Sequence, residues 1–296
     1  MVMKRKYILV SVALATLLAA FPASAANEAI GVNSAVRGDV TITDVDALAR
    51  QAQVKDMVRL GEEIISGAQS TLQVLLNDQT VFTVGPNCIL TIDKFVYDPS
   101  NSNSGMTASI KKGMFRFMSG NISKSSGNAV TIETPVASMG VRGTIVEGVV
   151  GSQAIDMARR SGVLPPGAKA DADGATIFIL RGPGENKRSD NRRGAIDVTS
   201  GGKTVTIDQA GMATFILADG IAPSDPFSLP DEVYAIFSQN LRTRREVAVQ
   251  PQIDLLDVES GFEYFDPLTD LDFPLDEEND PPIEDFCTET PTTSCP

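Results

Sequence analysis

The sequence of 296 residues contains no histidine at all. Histidine is the usual general base near neutral pH and the commonest metal ligand. Its absence excludes a Ser-His-Asp or Cys-His catalytic arrangement and any histidine-ligated metal site. Phosphate-binding and dinucleotide-binding glycine motifs are also missing. We therefore predict a protein that is not an enzyme and has no catalytic residues, metal site or cofactor. The remaining catalytic alternative is a carboxylate pair of the glycosidase kind, which any chain this acidic can supply.

Long apolar runs are scarce, and the one that stands out lies at the N-terminus. Residues 8–21 are largely apolar and follow a basic cluster over residues 4–6. This stretch is shorter than the roughly 20 residues of a membrane span. A small-residue site ends at Ala25, so we predict a signal peptide over residues 1–25, cleaved between Ala25 and Ala26. An uncleaved anchor is the alternative. The mature chain is then exported, to the periplasm, the medium or the cell surface, with no span after cleavage.

Basic residues are absent from residues 251–296, which hold 14 acidic ones. The formal charge of −13 becomes −16 once the three basic residues of the signal are removed, so residues 26–250 carry only −2. Such a body has no basic stripe for nucleic acid. The sequence predicts a disordered acidic tail over residues 251–296, for which weak cation binding stays open. Within it, Cys287 and Cys295 can form a disulfide loop, whereas Cys88 is predicted to be a buried thiol.

Short strand patterns separated by turn residues fill most of the body. Hairpins are predicted about Asn77-Asp78 and about Gly201-Gly202. At least ten such strands predict an all-β fold, a jelly-roll-like β-sandwich, with a β-solenoid as the alternative.

The most informative segment spans residues 130–147, where Pro135 separates two strand patterns because it cannot donate a ladder hydrogen bond. The second pattern carries Arg142 between two glycines, which allow another backbone to approach. We expect Arg142 to lie in a narrow slot, satisfied by loop carbonyls or by a carboxylate such as Glu133 or Glu147. The alternative is an anion-binding arginine, since a guanidinium suits bidentate contacts.

Five segments in this order resemble the FecR domain, a family named for regulators of iron-dicitrate uptake. They are Gly61–Gly67, the Asn77-Asp78 hairpin, Lys94–Pro99, Lys112–Gly120 and Thr134–Thr144. The last contains the family signature residues Thr134, Pro135, Gly140, Arg142, Gly143 and Thr144. The resemblance covers roughly residues 30–150 and continues more loosely to about residue 217.

The resemblance implies an exported domain, and the family includes periplasmic sensors that relay the state of a receptor to a cytoplasmic sigma factor. Those sensors have a cytoplasmic segment before a membrane helix. In this sequence only three residues precede the basic cluster. We therefore do not expect direct control of a sigma factor.

The predicted organisation has a β-domain over residues 26–220, with a core over 30–150 and a continuation over 175–217. Residues 151–174 interrupt the strand pattern as an insertion, with a short helix over 153–160. An amphipathic helix follows over residues 228–247, capped by Ser228. Its apolar face contains Leu229, Val233, Ile236, Phe237 and Leu241. That face either docks on the β-domain or binds a partner or a membrane surface.

The leading functional prediction is a non-catalytic exported binding module that recognises a protein, glycan or small anionic ligand of the bacterial envelope, with a link to envelope signalling. Its candidate ligand contacts are Arg142 and three arginines of one basic loop, Arg188, Arg192 and Arg193. The alternative is a structural or adhesive envelope protein that self-associates or docks on a neighbour. The sequence leaves the partner and the oligomeric state open.

Overall fold

A computed structural model describes residues 28–100, 103–125, 129–164, 166–182 and 194–241. Within these residues the chain forms 17 strands and three helices, so the all-β prediction is confirmed. The strands are β1 (Ala29–Arg37), β2 (Val40–Thr43), β3 (Ala49–Gln51), β4 (Met57–Arg59), β5 (Glu63–Ser66), β6 (Thr71–Leu76), β7 (Val81–Val84), β8 (Ile89–Val96), β9 (Gly105–Met118), β10 (Val130–Glu133), β11 (Ser138–Arg142), β12 (Ile145–Val150), β13 (Thr176–Gly182), β14 (Ala195–Ser200), β15 (Lys203–Ile207), β16 (Met212–Ile216) and β17 (Phe227–Ser228). The helices are α1 (Ile122–Ser125), α2 (Ser152–Arg160) and α3 (Asp231–Asn240).

The strands form two layers that share one strand. Sheet A has the order β4-β1-β6-β7-β9-β12-β13-β16-β17. Sheet B has the order β3-β2-β5-β8-β9-β10-β11-β14-β15. These pairings are antiparallel except for the parallel pair β9–β10. The shared strand β9 changes sheet at Gly113, whose φ of 88° and close approach to Asn87 leave no room for a side chain.

The main core lies between the two sheets. Apolar side chains alternate inward along the strands of both layers, and the rings of Phe82 and Phe117 meet edge to face at 5.1 Å. Burying each such side chain contributes about 1.5–3 kcal/mol. Cys88 belongs to this core, as expected, and burial raises the pKa of its thiol. The two sheets therefore form a β-sandwich around one shared core.

A second core covers the outer face of sheet A, but only over strands β9 to β16. There α2 and α3 pack on Met114, Val149, Ile177 and Phe215. The short helix expected over residues 153–160 is α2, and it helps to form this core although the surrounding segment was predicted to be an exposed insertion. The outer face of sheet A is therefore covered in its second half.

The segment after Pro135 differs from the single strand that the sequence suggested. Strand β11 ends at Arg142, Gly143 turns with a φ of 56°, and β12 begins at Ile145 in the other sheet. Because of this crossing, Val146 faces the main core instead of sharing a face with Arg142.

Helix α3 begins at Asp231, later than expected. The predicted cap at Ser228 is wrong, because Ser228 belongs to β17 and pairs with Met212, and Pro230 occupies the capping position. The predicted hairpins about Asn77-Asp78 and Gly201-Gly202 are both confirmed.

Several predictions concern residues outside the described ranges. They are the cleavage site at Ala25 and Ala26, the basic-loop residues Arg188, Arg192 and Arg193, the cysteines Cys287 and Cys295, and the tail over 251–296. Among the residues that are described, none of the helices has the length and apolar character needed to cross a membrane. In the same ranges, no group of three or more histidine, cysteine or acidic side chains is placed to hold a metal ion.

Candidate functional site

Arg142 lies on the outer face of sheet B and is partly exposed. Its Nη2 donates to Oδ1 of Asp197 on the neighbouring strand at 3.0 Å, and the hydroxyl of Thr206 donates to the same oxygen at 2.6 Å. A carboxylate was expected here, but the two named as examples are wrong, because Glu133 is exposed at the end of β10 and Glu147 lies in the other sheet. An ion pair this exposed contributes little to stability.

The glycines on either side of Arg142 do not form the narrow slot that we expected. A side chain at Gly143 would meet no atom within 4 Å, and one at Gly140 would only touch the carbonyl of Asp197. The other signature residues build turns. Thr134 closes the turn between β10 and β11 by bonding Ala137, and the amide of Thr144 donates to the hydroxyl of Ser119. These signature residues therefore shape the scaffold.

A buried ionic cluster lies on the outer face of sheet A. Glu147 of β12 is fully buried and sits beside Arg116 of β9 and Arg181 of β13. Nε of Arg116 donates to Oε1 of Glu147 at 2.8 Å, and Nη2 of Arg116 lies 2.6 Å from the same oxygen as an ion pair. Oε2 is 3.5 Å from Nε of Arg181, and neither Oε2 nor Nη1 of Arg181 has a hydrogen-bond partner. The cluster holds two positive charges and one negative charge.

Helix α3 closes over this cluster through both arginines. Nη1 of Arg116 donates to the carbonyl of Leu241 at 3.4 Å, just past the C-terminal end of the helix. The guanidinium of Arg181 lies 3.9 Å from the centre of the Tyr234 ring, a cation–π contact. Leu241 also packs against Gly85, where any side chain would collide with it. Glu147 thus orients two arginines that attach α3 to the sheet.

The predicted apolar face of α3 packs on its own domain. Leu229, Val233, Phe237 and Leu241 are buried in the second core, and Ile236 is partly buried against it. Of the two alternatives, docking on the β-domain is the one that the structure shows.

A second buried carboxylate occurs near the other end of sheet A. Arg50 forms a bidentate pair with Glu62. Its Nη1 donates to Oε1 at 2.7 Å, and its Nη2 donates to Oε2 at 3.0 Å. The backbone amide of Arg59 donates to Oε2 at 2.9 Å, and its guanidinium lies 3.8 Å from Oε1. The hydrogen bond to Glu62 raises the pKa of Arg50. This cluster also holds two arginines and one carboxylate, but here each carboxylate oxygen accepts hydrogen bonds.

An apolar row crosses the outer face of sheet A between these two clusters. Six side chains from six adjacent strands lie in direct register: Met57, Val32, Leu75, Val81, Met118 and Ile145. Paired residues of an antiparallel sheet project from the same face. Met57 is 57 % exposed, Val32 38 % and Leu75 37 %, and the other three are half-buried. Neither α2 nor α3 packs on this apolar row. A contiguous exposed apolar surface of this kind is typical of an interaction site.

An open groove of about 570 Å³ lies near the end of α3. Its lining is mostly polar and consists of Arg37, Gly38, Asp39, Gly67, Ala68, Gln69, Ser70 and Asn240. It contains one basic and one acidic residue, Arg37 and Asp39, that a small polar ligand could contact.

Residues 62–182 match the family model described as FecR protein. Over this range the match confirms the resemblance to the FecR domain that the sequence predicted. The matched range contains β5 to β13, so the sandwich extends beyond it at both ends.

Solved structures with some likeness include a cell surface anchoring domain, at 23% identity and a TM-score of 0.22, covering 22% of this chain and 86% of that chain. A proposed anti-sigma factor from Parabacteroides distasonis, solved twice, is 9% identical with a TM-score of 0.38, covering 60% of this chain and 64% of that chain. No curated protein matched the sequence. Similarity this low supports no functional argument.

Sequence reasoning named Glu147 only as a partner for Arg142 and missed both ionic clusters. A signal was present, since Glu147 is the single charged residue in the apolar strand β12 and Arg116 is the single one between Gly113 and Gly120. Charged residues this deep in apolar strands are almost never buried unless paired. The apolar row gave no sequence signal, because it exists only through the register of six strands.

Proposed function

We propose that this chain is a non-catalytic binding module of the bacterial envelope that recognises a protein partner through the apolar row on sheet A. The observation that carries the proposal is the apolar row itself, on which neither α2 nor α3 packs, although both helices cover the second half of the same sheet face. A protein surface matches six apolar side chains better than a glycan or a small anion does. The groove near Asn240 and Arg142 are secondary candidates for polar ligands.

The FecR domain supports a role linked to envelope signalling, and the predicted signal peptide supports export to the periplasm or cell surface. Glu62 and Glu147 are engaged by arginines, and Asp78, the third buried carboxylate among the described residues, accepts hydrogen bonds from Thr80 and from the amide of Ile122, which favours a structural role for all three over an acid–base role. In this proposal the chain is a scaffold whose surface is bound by another protein.

A photo-reactive residue placed at Leu75 in the full-length protein, expressed in its own host, tests the proposal. We expect irradiation to give discrete protein adducts. The matched control is Val96, a similarly exposed position at the end of β8 in sheet B. Equal amounts of adduct at both positions, or none at Leu75, would reject recognition through this face. Adducts that contain only glycan would also reject a protein partner and would indicate glycan binding.

The second candidate function is self-association, which the strand β15 favours. Within the described residues β15 pairs only with β14, and Lys203, Thr204 and Thr206 are exposed along it. Edge strands of this kind pair readily with another chain. Sedimentation of the mature chain tests this candidate, and a monomer at all concentrations up to the solubility limit would reject it.

A further inference from the structure

We propose that the apolar row binds an amphipathic α-helix of a partner protein, whose apolar stripe is flanked by acidic residues. The inference rests on the proposed function and names the chemistry of the partner.

The form of the apolar row favours a helix over an extended peptide. Strands β1, β6, β7 and β9 are each hydrogen-bonded on both sides within sheet A, so their backbones cannot accept an added strand. The surface offers side chains only. A helix meets such a surface with its own side chains and leaves no backbone group unsatisfied, whereas an extended peptide lying on it would.

The length of the apolar row also fits a helix. Six adjacent strands give five interstrand steps of about 4.8 Å, so the apolar row is about 24 Å long. A helix rises about 1.5 Å per residue, and a helix of about 16 residues would span the row. Residues at i, i+3, i+4 and i+7 of such a helix form a continuous apolar stripe that matches a line of side chains.

The position of α3 on the same face leaves room for a second helix. Tyr234 contacts β13 and Leu241 contacts β9, so α3 runs across the strands. Its end lies over β9 between Met114 and Arg116, which are four and two residues from Met118 in the apolar row. Two to four residues of a strand span about 7–13 Å. Packed helices lie about 8–10 Å apart, so a helix on the apolar row would fit beside α3.

Charge complementarity is present at one end of the apolar row. Arg116 lies two residues from Met118 and belongs to a cluster in which two arginines surround a single glutamate, so this end has an excess of one positive charge. At the other end Arg50 and Arg59 share Glu62, and Asp44 and Asp56 also act on Arg50, so no positive excess remains there. Acidic residues beside the apolar stripe of a partner helix complement the Arg116 end, whereas basic residues are repelled there.

A pair of synthetic peptides tests the inference with the full mature chain. One is a 16-residue helical peptide, a length taken from the estimate of about 16 residues above, with a leucine stripe flanked by glutamates; the other has glutamines in place of the glutamates, because a lysine peptide would bind the acidic tail. Binding is measured by fluorescence anisotropy at physiological salt. We expect the glutamate peptide to bind about tenfold more tightly, because only it complements the arginines of the Glu147 cluster.

Variants locate the binding site. Leu75→Lys and Met118→Lys are each expected to weaken binding of the glutamate peptide by about tenfold or more, because they place a charge under the apolar stripe. The matched control Val96→Lys, on sheet B, should change it by less than about twofold. Equal binding of the two peptides, or binding that is unaffected by Leu75→Lys, overturns the inference.

The in-cell crosslink from Leu75 separates this inference from the proposed function. Adducts at partner residues spaced by three or four positions, with acidic neighbours, support the helix. Adducts in a strand or loop of another protein leave the proposed function standing and overturn the helix. Adducts to a second copy or within the chain overturn the helix and the partner-binding function together.

Discussion

Glu62 and Glu147 are both buried carboxylates held by two arginines, yet their surroundings differ. Glu62 lies among short strands near one edge of the sandwich, and its arginines are about one-third exposed, at 32% and 36%. Glu147 lies in the middle of sheet A beneath α3, and its arginines are less exposed, at 24% and 22%. Water can therefore solvate the first cluster more readily than the second.

The difference also appears in the hydrogen bonds. Both oxygens of Glu62 accept hydrogen bonds, whereas Oε2 of Glu147 has no hydrogen-bond donor and Nη1 of Arg181 has no acceptor. A buried ion pair is weak evidence for stability by itself, but removing one member leaves an uncompensated charge. Two arginines and one glutamate therefore have a mainly local role in the Glu62 cluster at the edge of the sandwich. In the Glu147 cluster, in the middle of sheet A, they attach α3.

The largest effect is expected for Glu147→Ala. Because it leaves Arg116 and Arg181 unpaired beneath α3, we expect a loss of about 3–5 kcal/mol in the free energy of unfolding. Chemical denaturation of the mature chain measures this. Glu147→Gln is the matched control and should lose less, since its amide oxygen still accepts from Arg116. A loss below about 1 kcal/mol for the alanine variant would show that the cluster does not hold α3.

A smaller effect is expected for Glu62→Ala. Arg50 and Arg59 can turn to water, so the loss is limited to hydrogen bonds made to a charged group, about 2 kcal/mol. The same denaturation experiment applies. A loss equal to that of Glu147→Ala would break the comparison, because it would mean that cover by α3 is irrelevant.

Tyr234→Ala should cost about 1 kcal/mol, because it removes the ring above Arg181. Tyr234→Phe keeps the ring and is expected to match the unsubstituted protein. Thermal unfolding monitored by circular dichroism distinguishes the two variants. Equal losses in both would assign the effect to the hydroxyl instead of the cation–π contact.

The smallest effect on stability is expected for Leu75→Lys. The side chain is exposed on the uncovered half of sheet A, so the change should stay within about 0.5 kcal/mol. Calorimetry checks this result. A large loss would show that Leu75 is part of a core and would remove it from the proposed binding surface.

The fold class could be predicted because its signals are local. Alternation marked β9 and β14, and the turn residues at Asn77-Asp78 and Gly201-Gly202 marked two hairpins. The sheet crossing at Gly143 could not be predicted, because a glycine in a strand pattern also fits a bulge. Because of this crossing, Glu147 lies in the other sheet and cannot be the partner of Arg142.

The candidate site was harder to predict than the fold because it depends on pairings between distant segments. Arg116 and Glu147 become neighbours only through the β9–β12 register, and Asp197 reaches Arg142 only through β11–β14. The apolar face of α3 could be predicted from the helical period of its apolar residues. The part of sheet A that this face covers could not be predicted in this way.

The position of β9 in both sheets determines how the domain unfolds. Its first half pairs with β8 and β10 in one sheet, and its second half pairs with β7 and β12 in the other. Segments from both sides of the sequence therefore depend on this single strand for their hydrogen bonds. Melting one half exposes the ladder of the other, so the sandwich should denature in one cooperative step. Neither half should persist as a fragment without β9, and a protease that cuts this strand would dismantle both layers at once.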